Sequence, residues 1–224
     1  MSDYTIPSHD PANTGGLAGT LREVFKKLIQ GVDDMLPAKI VGYDRTRNVA
    51  TVQPQIMMLT TENRTLSRPP LACVPVLALG GGGFVMSFPF KPGDAGWIKA
   101  SDRDISLYLQ SGSEAGPNTQ RLHSFADGLF IPDVMHGYTL ADEDEANAVL
   151  QSVDGLVRVA LWPDKLKLTA PMVELEAANV HCTGNLTAEG RVIGRGGVTF
   201  GETPAETHRH DGVQRGSDIS GGPV

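Results

Sequence analysis

Hydrophobic residues recur at helical spacing near the start of the chain. After a polar stretch over residues 1–16 that contains Pro, Asn and Gly, the apolar positions are Leu17, Leu21, Val24, Phe25, Leu28, Val32 and Leu36. This spacing predicts an amphipathic helix over about residues 17–35. Its polar face carries Glu23, Asp33 and Asp34 beside lysines, so we expect it to dock against protein rather than a membrane surface or a calmodulin-like partner.

From Pro37 the apolar positions follow a period of two. The segments AKIVGYD and NVATVQPQIMML flank a polar turn over residues 45–48, which predicts a β-hairpin. Further short apolar runs, LACVPVLAL, GFVMSFPF, AGWIKASD and GLFIPDV, are separated by Gly, Pro and Asp clusters. Several short strands joined by turns indicate a small sandwich or barrel. The segment SDRDISLYLQSG fits either a short helix or a strand.

The second half of the chain contains an internal repeat of seven residues. Its apolar positions form two rows, Val159, Leu166, Val173 and Val180, and Leu161, Leu168, Leu175 and Cys182. Pro163 and Pro171 would break a coiled coil, and apolar and polar residues alternate within each unit, so short strands with regular turns fit better.

Such short strands have too little volume in one chain to hide these rows from water. Repeats of this kind bury a core only against neighbours, which here must be other copies of the chain. Three chains intertwined around one axis would place the apolar rows inside a narrow prism and leave lysines and glutamates outside. The repeat therefore predicts a trimeric β-helix, or β-prism.

Composition and charge narrow the class of protein. The chain has 224 residues, 40% of them hydrophobic, which suits a globular protein with a core. A net charge of −7 without a run of Lys or Arg argues against a nucleic-acid partner. No secretory signal or membrane span is apparent, so we expect a soluble chain made in a cytoplasm. Cys73 and Cys182 are far apart and are predicted to be small buried thiols rather than a disulfide.

Three polar or glycine-rich segments favour structural interpretations. LGGGGF lacks the Gly-Lys-Ser/Thr of a phosphate loop and leads into a strand, so it is predicted to be a turn or bulge that lets chains approach closely. GRGGVTFG is predicted to form a tight bend. The acidic run Asp142–Glu145 is interpreted as a solvated linker between two domains.

The order of these segments resembles a known family. The segments are ATVQPQI, VPVLALGGGGFVMSFPFKPGDAGWIKASDRDISLYLQSG, RLHSFADGLFIPDV, the seven-residue repeats and a terminal HRHDGVQRG. Over most of its length the chain looks like the membrane-piercing central spike proteins at the baseplate tip of contractile-tailed bacteriophages and related contractile injection particles. The resemblance implies a mainly β homotrimer with an N-terminal helix, an OB-fold barrel, a triple-stranded β-helix and a metal-bound tip.

The resemblance also implies that His208 and His210 of each chain reach the three-fold axis, so that six imidazoles surround one iron ion. In an extended strand these two residues point to the same side, while Arg209 points to the other. Six nitrogens suit octahedral Fe²⁺ better than zinc, which usually takes four ligands in structural sites. With every position filled by protein, the site would be a crosslink and not a catalyst. Asp211 or a backbone carbonyl would orient a ligating histidine.

Two other interpretations of these histidines remain open from the motif alone. A lone His-x-His also occurs in unstructured tails, and it forms part of hydrolytic His-x-His-x-Asp sites. Here the aspartate follows immediately as Asp211, Gly212 stands where that pattern needs the acid, and no later histidine completes it. The scattered His9, His123, His136 and His181 are interpreted as ordinary surface or core residues.

The sequence therefore predicts a structural protein and not an enzyme. The expected parts are residues 1–36 (N-terminal segment and helix), 37–140 (OB-fold), 141–200 (trimeric β-helix) and 201–224 (tip). The role that the resemblance implies is to pierce the host outer membrane when the tail sheath contracts. The expected partners are two further copies, the baseplate hub or tail tube and, transiently, that membrane, in a virion assembled in the host cytoplasm. The alternative is a trimeric receptor-binding adhesin or a lytic baseplate enzyme.

Overall fold

Strands dominate the computed structural model, which describes residues 16–60, 64–135, 137–201 and 203–204. The α-helices are α1 (Gly16–Gln30) and α2 (Ser106–Ser111), and a short 3₁₀ helix spans Asp142–Asp144. The described strands are β1 (Met35–Asp44), β2 (Val49–Pro54), β3 (Met58–Leu59), β4 (Thr65–Leu66), β5 (Leu71–Pro75), β6 (Leu79–Gly81), β7 (Phe84–Met86), β8 (Ala95–Arg103), β9 (Leu122–Pro132), β10 (Ala148–Gln151), β11 (Arg158–Leu161), β12 (Leu166–Thr169), β13 (Thr199–Phe200) and β14 (Thr203–Pro204). The chain divides into two units, Met1–Pro171 and Met172–Val224.

The period-two segments of the first half form a nearly closed barrel. Five antiparallel strands lie in the order β5-β2-β1-β8-β9. The two edges approach each other where Val76 bridges Phe130 and the Leu77 N–H donates to the Phe130 carbonyl at 2.8 Å. The predicted hairpin over residues 45–48 is confirmed as the β1–β2 turn. Asn48 adopts a left-handed conformation there (φ 53°), and its side chain donates to the Val76 carbonyl at 2.6 Å.

Alternate side chains of these strands fill the barrel. The buried core consists of Ala38, Ile40, Ala50, Val52, Val74, Val76, Ile98, Ala100, Phe125 and Phe130. Phe130 is fully buried, and its ring lies edge-on to Phe90 with centroids 6.5 Å apart. Gly96 lies directly against that ring, where a Cβ would clash with Phe130 and with the Ile131 carbonyl. The interior of the barrel is therefore tightly packed around Phe130.

Helix α1 is shorter than the predicted span of residues 17–35. It ends at Gln30, and β1 already begins at Met35. Residues 33 and 34, between the two elements, are hydrogen-bonded to the barrel instead of continuing the helix. The Asp33 N–H donates to the His123 carbonyl at 2.9 Å, and the Ala100 N–H donates to the Asp34 carbonyl at 2.8 Å. Gly31 favours the stop, since glycine is a poor helix former. The spacing of apolar residues contains no information about these hydrogen bonds to the barrel, so the predicted helix was too long.

Two ambiguous segments of the first half have definite structures. The LGGGGF segment is the β6–β7 hairpin, with Gly82 and Gly83 both at positive φ, so the predicted turn is confirmed. The SDRDISLYLQSG segment contains helix α2, which ends at Gly112 in the left-handed conformation. No described helix is both long enough and apolar enough to span a bilayer.

The second half begins with a three-stranded antiparallel sheet in the order β10-β11-β12. Residues 170–198, all of them described, contain no strand. The predicted bend in GRGGVTFG is present, with the Gly197 N–H donating to the Gly194 carbonyl at 3.2 Å. The predicted burial of both thiols is wrong for this structure, because Cys73 and Cys182 are exposed. Cys73 has a positive φ of 56° next to a register shift between β2 and β5, and Cys182 lies outside any strand.

Candidate assembly surface and metal-binding tip

One face of the β10–β12 sheet is apolar and open to solvent. Antiparallel pairing places Ala148 beside Leu161 and Leu166, and Leu150 beside Val159 and Leu168. Of the five large side chains, Val159 is half-buried and each leucine is at least 50% exposed. The predicted alternation within each seven-residue unit is thus confirmed for the first two units. It produces a continuous apolar surface of six residues, the apolar sheet face.

The opposite face of the same sheet is polar and covered. Ala160 in its centre is fully buried, and Arg158 and Lys167 flank it. Arg158 Nε lies 2.9 Å from Asp144 Oδ2, and its Nη2 lies 2.6 Å from Glu143 Oε1. The Asp144 side chain is fully buried, so the interpretation of residues 142–145 as a solvated linker is wrong for Asp144, although the other three acidic residues of the run are exposed. The sheet therefore partly covers its charged side and leaves its apolar side open to solvent, whereas a sheet with one solvated face usually turns its polar side to water.

Electrostatics reinforce this arrangement. Lys167 Nζ lies 2.7 Å from Glu143 Oε2. Hydrogen bonds from Lys167 and then from Arg158 lower the pKa of Glu143, so its carboxylate remains charged well into acidic pH. Sequence reasoning missed this cluster, although the alternation of Arg158 and Lys167 with apolar neighbours was the available signal. The cluster fixes the 142–145 segment against the back of the sheet.

The apolar rows continue into the second unit. Val173, Leu175 and Val180 are each more than half exposed, and Cys182 is exposed as well. Residues 172–198, all described, take part in no strand pairing. Both the apolar side chains and much of the backbone hydrogen-bonding capacity of this stretch are therefore open to a partner.

A second ionic cluster holds the segment around helix α2 to the barrel. The guanidinium of Arg121 donates to both oxygens of Asp127 at 3.0 Å and to Asp104 Oδ2 at 3.1 Å. Thr119 Oγ1 also donates to that Asp104 oxygen, at 2.7 Å. Hydrogen bonds from Ser106 and Thr119 lower the pKa of Asp104 well below its ordinary value. These contacts hold both ends of the segment between β8 and β9 together, which accounts for the cluster structurally.

The predicted metal ligands His208 and His210, with Asp211, lie outside the described residues, as do His9 and His136. Within the described ranges no three or more His, Cys, Asp or Glu side chains are grouped so as to hold a metal ion. His123 pairs with Asp102 at 3.1 Å on the barrel surface. The terminal histidines therefore remain the candidate metal ligands on sequence grounds.

Two models of known protein families match this chain, one over the barrel and one over the C-terminal residues. The Phage protein Gp138 N-terminal domain model matches residues 36–133, which contain the barrel. The GpV Apex motif model matches residues 206–224, which contain both His208 and His210. No curated protein matches the chain. Both models describe features of phage baseplate spikes, so they confirm the resemblance of this chain to the central spike proteins over residues 36–133 and 206–224.

Proposed function

We propose that three copies of this chain form the central spike of a contractile phage tail, which pierces the host outer membrane when the sheath contracts. The observation that carries the proposal is the apolar sheet face of β10–β12, with four leucines at least 50% exposed. Full burial of an exposed leucine is worth about 1.5–3 kcal/mol, so covering the remaining half of these four side chains would contribute about 3–6 kcal/mol per chain, a large share of the stability of a small domain. Association of copies would provide this burial.

The shape of the sheet supports three copies as the number that assembles. Its strands are four residues long, about 13 Å each, so a single narrow face is available per chain. Three such faces around one axis enclose a triangular core, with the Glu143–Lys167 pairs on the outside. Two faces stacked in a sandwich would leave the short edge strands β10 and β12 unpaired. A trimer allows those edges to pair with neighbouring copies.

Residues 172–198 would assemble in the same way. Short segments carrying Val173, Leu175 and Val180 would each pair with the two neighbouring chains, giving an intertwined β-helix. Neighbouring chains then satisfy the backbone groups that a single chain leaves unpaired in this stretch. Preceding it, the five-stranded barrel is assigned as an OB-fold, since that fold is a partly open five-stranded barrel. The spike would join the baseplate hub or tail tube by its helix-and-barrel end.

At the tip, His208 and His210 from three chains would supply six imidazole nitrogens to one Fe²⁺ ion. The match of the apex motif to this segment supports the assignment. The ion would crosslink the three chain ends beyond the last apolar residues of the repeat. Its binding free energy would add to the free energy of assembly. Chain ends otherwise fray easily, so a metal crosslink suits a part that meets resistance first.

The role in piercing is mechanical. Energy comes from sheath contraction, and the spike contributes stiffness and a narrow point. The test is to locate the chain on intact phage with a gold-labelled antibody and to assay the purified protein for binding to host cell-surface glycans. Label at the tail tip without glycan binding supports the spike. Specific glycan binding, or label on lateral fibres, would overturn it in favour of an adhesin.

A further inference from the structure

Helix α1 has an apolar side that the described part of its own chain does not cover. Six of its side chains are between 48% and 76% exposed, namely Leu17, Leu21, Val24, Phe25, Leu28 and Ile29. Single soluble chains rarely expose a continuous apolar patch larger than a few hundred Å². A helix with this apolar side therefore needs a partner.

The spacing of these residues indicates what kind of partner. Leu17, Leu21, Val24 and Leu28 are separated by four, three and four residues, which is the alternating d and a spacing of a heptad. A repeat of 3.5 residues keeps one seam facing another helix along its whole length. Phe25, at the adjoining e position, widens the seam beyond that of a two-stranded coil. Lys27, at the g position, flanks the seam, and Lys26, at the f position, lies on the outward side of the helix.

The linker that joins α1 to the barrel is fixed rather than loose. Asp33 Oδ1 accepts a hydrogen bond from Arg68 at 3.0 Å, and its Oδ2 accepts one from the Phe125 N–H at 3.1 Å. Asp34 next to it pairs with Lys99 on β8. Because both residues are held to the barrel, helices of symmetry-related copies would leave their barrels at the same height and run parallel.

We propose that the α1 helices of the three copies pack against one another in a parallel bundle along the spike axis. The inference rests on the proposed trimer and assigns the apolar side of α1 to copies of this chain, not to another baseplate protein. Leu21 and Leu28 occupy a positions, and Leu17 and Val24 occupy d positions. Leucine at a with a β-branched residue at d, as at Leu21 and Val24, favours three or four helices over two. Such a bundle would add a second contact between copies. It would precede the barrel in the sequence, whereas the apolar sheet face follows the barrel.

Disulfide trapping in the full chain tests the proposal. In a background with Cys73→Ser and Cys182→Ser, Leu21→Cys places a thiol in the seam, and Lys26→Cys places one at the outward f position of the same helix. Disulfides need Cα atoms within about 7 Å, so only the seam thiols can pair within a bundle. After mild oxidation of purified protein, we expect at least fivefold more covalent dimer from Leu21→Cys than from Lys26→Cys.

Light scattering on the same samples separates two kinds of failure. Trimers that give no Leu21 disulfide, or equal amounts from both variants, would overturn the helix bundle and leave the trimer intact. Monomers would overturn the proposed function and the bundle together. A matched Val24→Cys variant repeats the test at a d position, and it should crosslink as Leu21→Cys does if the seam is correct.

Discussion

Leu161 lies directly opposite Leu166 across the β11–β12 hairpin, and both side chains are more than half exposed. The hairpin is closed by the Trp162 N–H, which donates to the Lys165 carbonyl at 2.9 Å. The turn therefore fixes the two leucines opposite each other. Within the described chain, however, no apolar side chains bury the pair, so this register is not explained by contacts of a single chain. Burial against other copies of the chain supplies a physical reason for it.

Replacing Leu161 with glutamate should dissociate the assembly. In the proposed trimer, three carboxylates would meet near one axis without cationic partners. The free-energy cost of burying them would exceed the free energy that burial of the three leucines contributes. Leu161→Met is the matched control, because a volume-conserving apolar change usually costs less than about 1.5 kcal/mol. Sedimentation velocity should give a smaller particle for Leu161→Glu only. An unchanged particle size for that variant would show that the apolar sheet face is not an interface.

Adding one methyl group at Gly96 should destabilise the barrel. The new Cβ would clash with the Phe130 ring and the Ile131 carbonyl, and overpacking of this kind costs about 1–3 kcal/mol. Gly42→Ala is the control, because a Cβ there meets nothing within 4 Å. Urea midpoints followed by tryptophan fluorescence should fall for Gly96→Ala and stay nearly constant for Gly42→Ala. Equal effects at the two sites would contradict close packing of Gly96 against Phe130.

Arg158→Ala should be strongly destabilising because it leaves the buried Asp144 carboxylate without its cation. Breaking a buried pair in this way costs about 3–5 kcal/mol. Lys167→Ala removes only a half-exposed partner of Glu143 and should cost much less. Adding Asp144→Asn to Arg158→Ala should recover part of the loss in the urea midpoint. A double variant no more stable than Arg158→Ala would mean that the buried charge is not the source of the cost.

Stability should fall in acid through the paired carboxylates. Hydrogen bonds lower the folded-state pKa of Glu143, Asp34 and Asp104. Their contribution is therefore complete above the unfolded-state pKa of about 4 and is lost as the pH falls through the lower folded-state values. Urea midpoints should be level between about pH 7 and 5 and decline below about pH 4. Glu143→Gln should start lower at pH 7 and decline less steeply, and a slope identical to wild type would count against the pairing.

Metal at the tip should depend on both histidines and on pH. If the proposed site is correct, His208→Ala or His210→Ala should remove the iron from purified protein, whereas Arg209→Ala, which the proposal places away from the ion, should retain it. Protonated imidazole cannot ligate, so metal should be lost below about pH 6. Mass spectrometry of the metal content checks both statements. Full occupancy at pH 4 would argue against histidine ligation.

The parts of the fold that could be predicted from the sequence are those encoded by local pattern. The period of two over β1, β2 and β8 predicted the barrel strands, and the glycines at positions 82 and 83 predicted the β6–β7 turn. The end of α1 was misplaced because it is decided by hydrogen bonds from distant β8 and β9 residues. The role of Asp144 was also missed, since burial of an acidic residue depends on an arginine fourteen positions later. Neither contact leaves a periodic signal.

The number of chains in the particle decides between the proposed spike and a solitary chain. Multi-angle light scattering of the purified chain, coupled to size exclusion, measures it without reference to shape. Three copies of a 23.9 kDa chain predict a mass of about 72 kDa, unchanged on tenfold dilution. A mass near 24 kDa would contradict the trimer and, with it, the proposed spike.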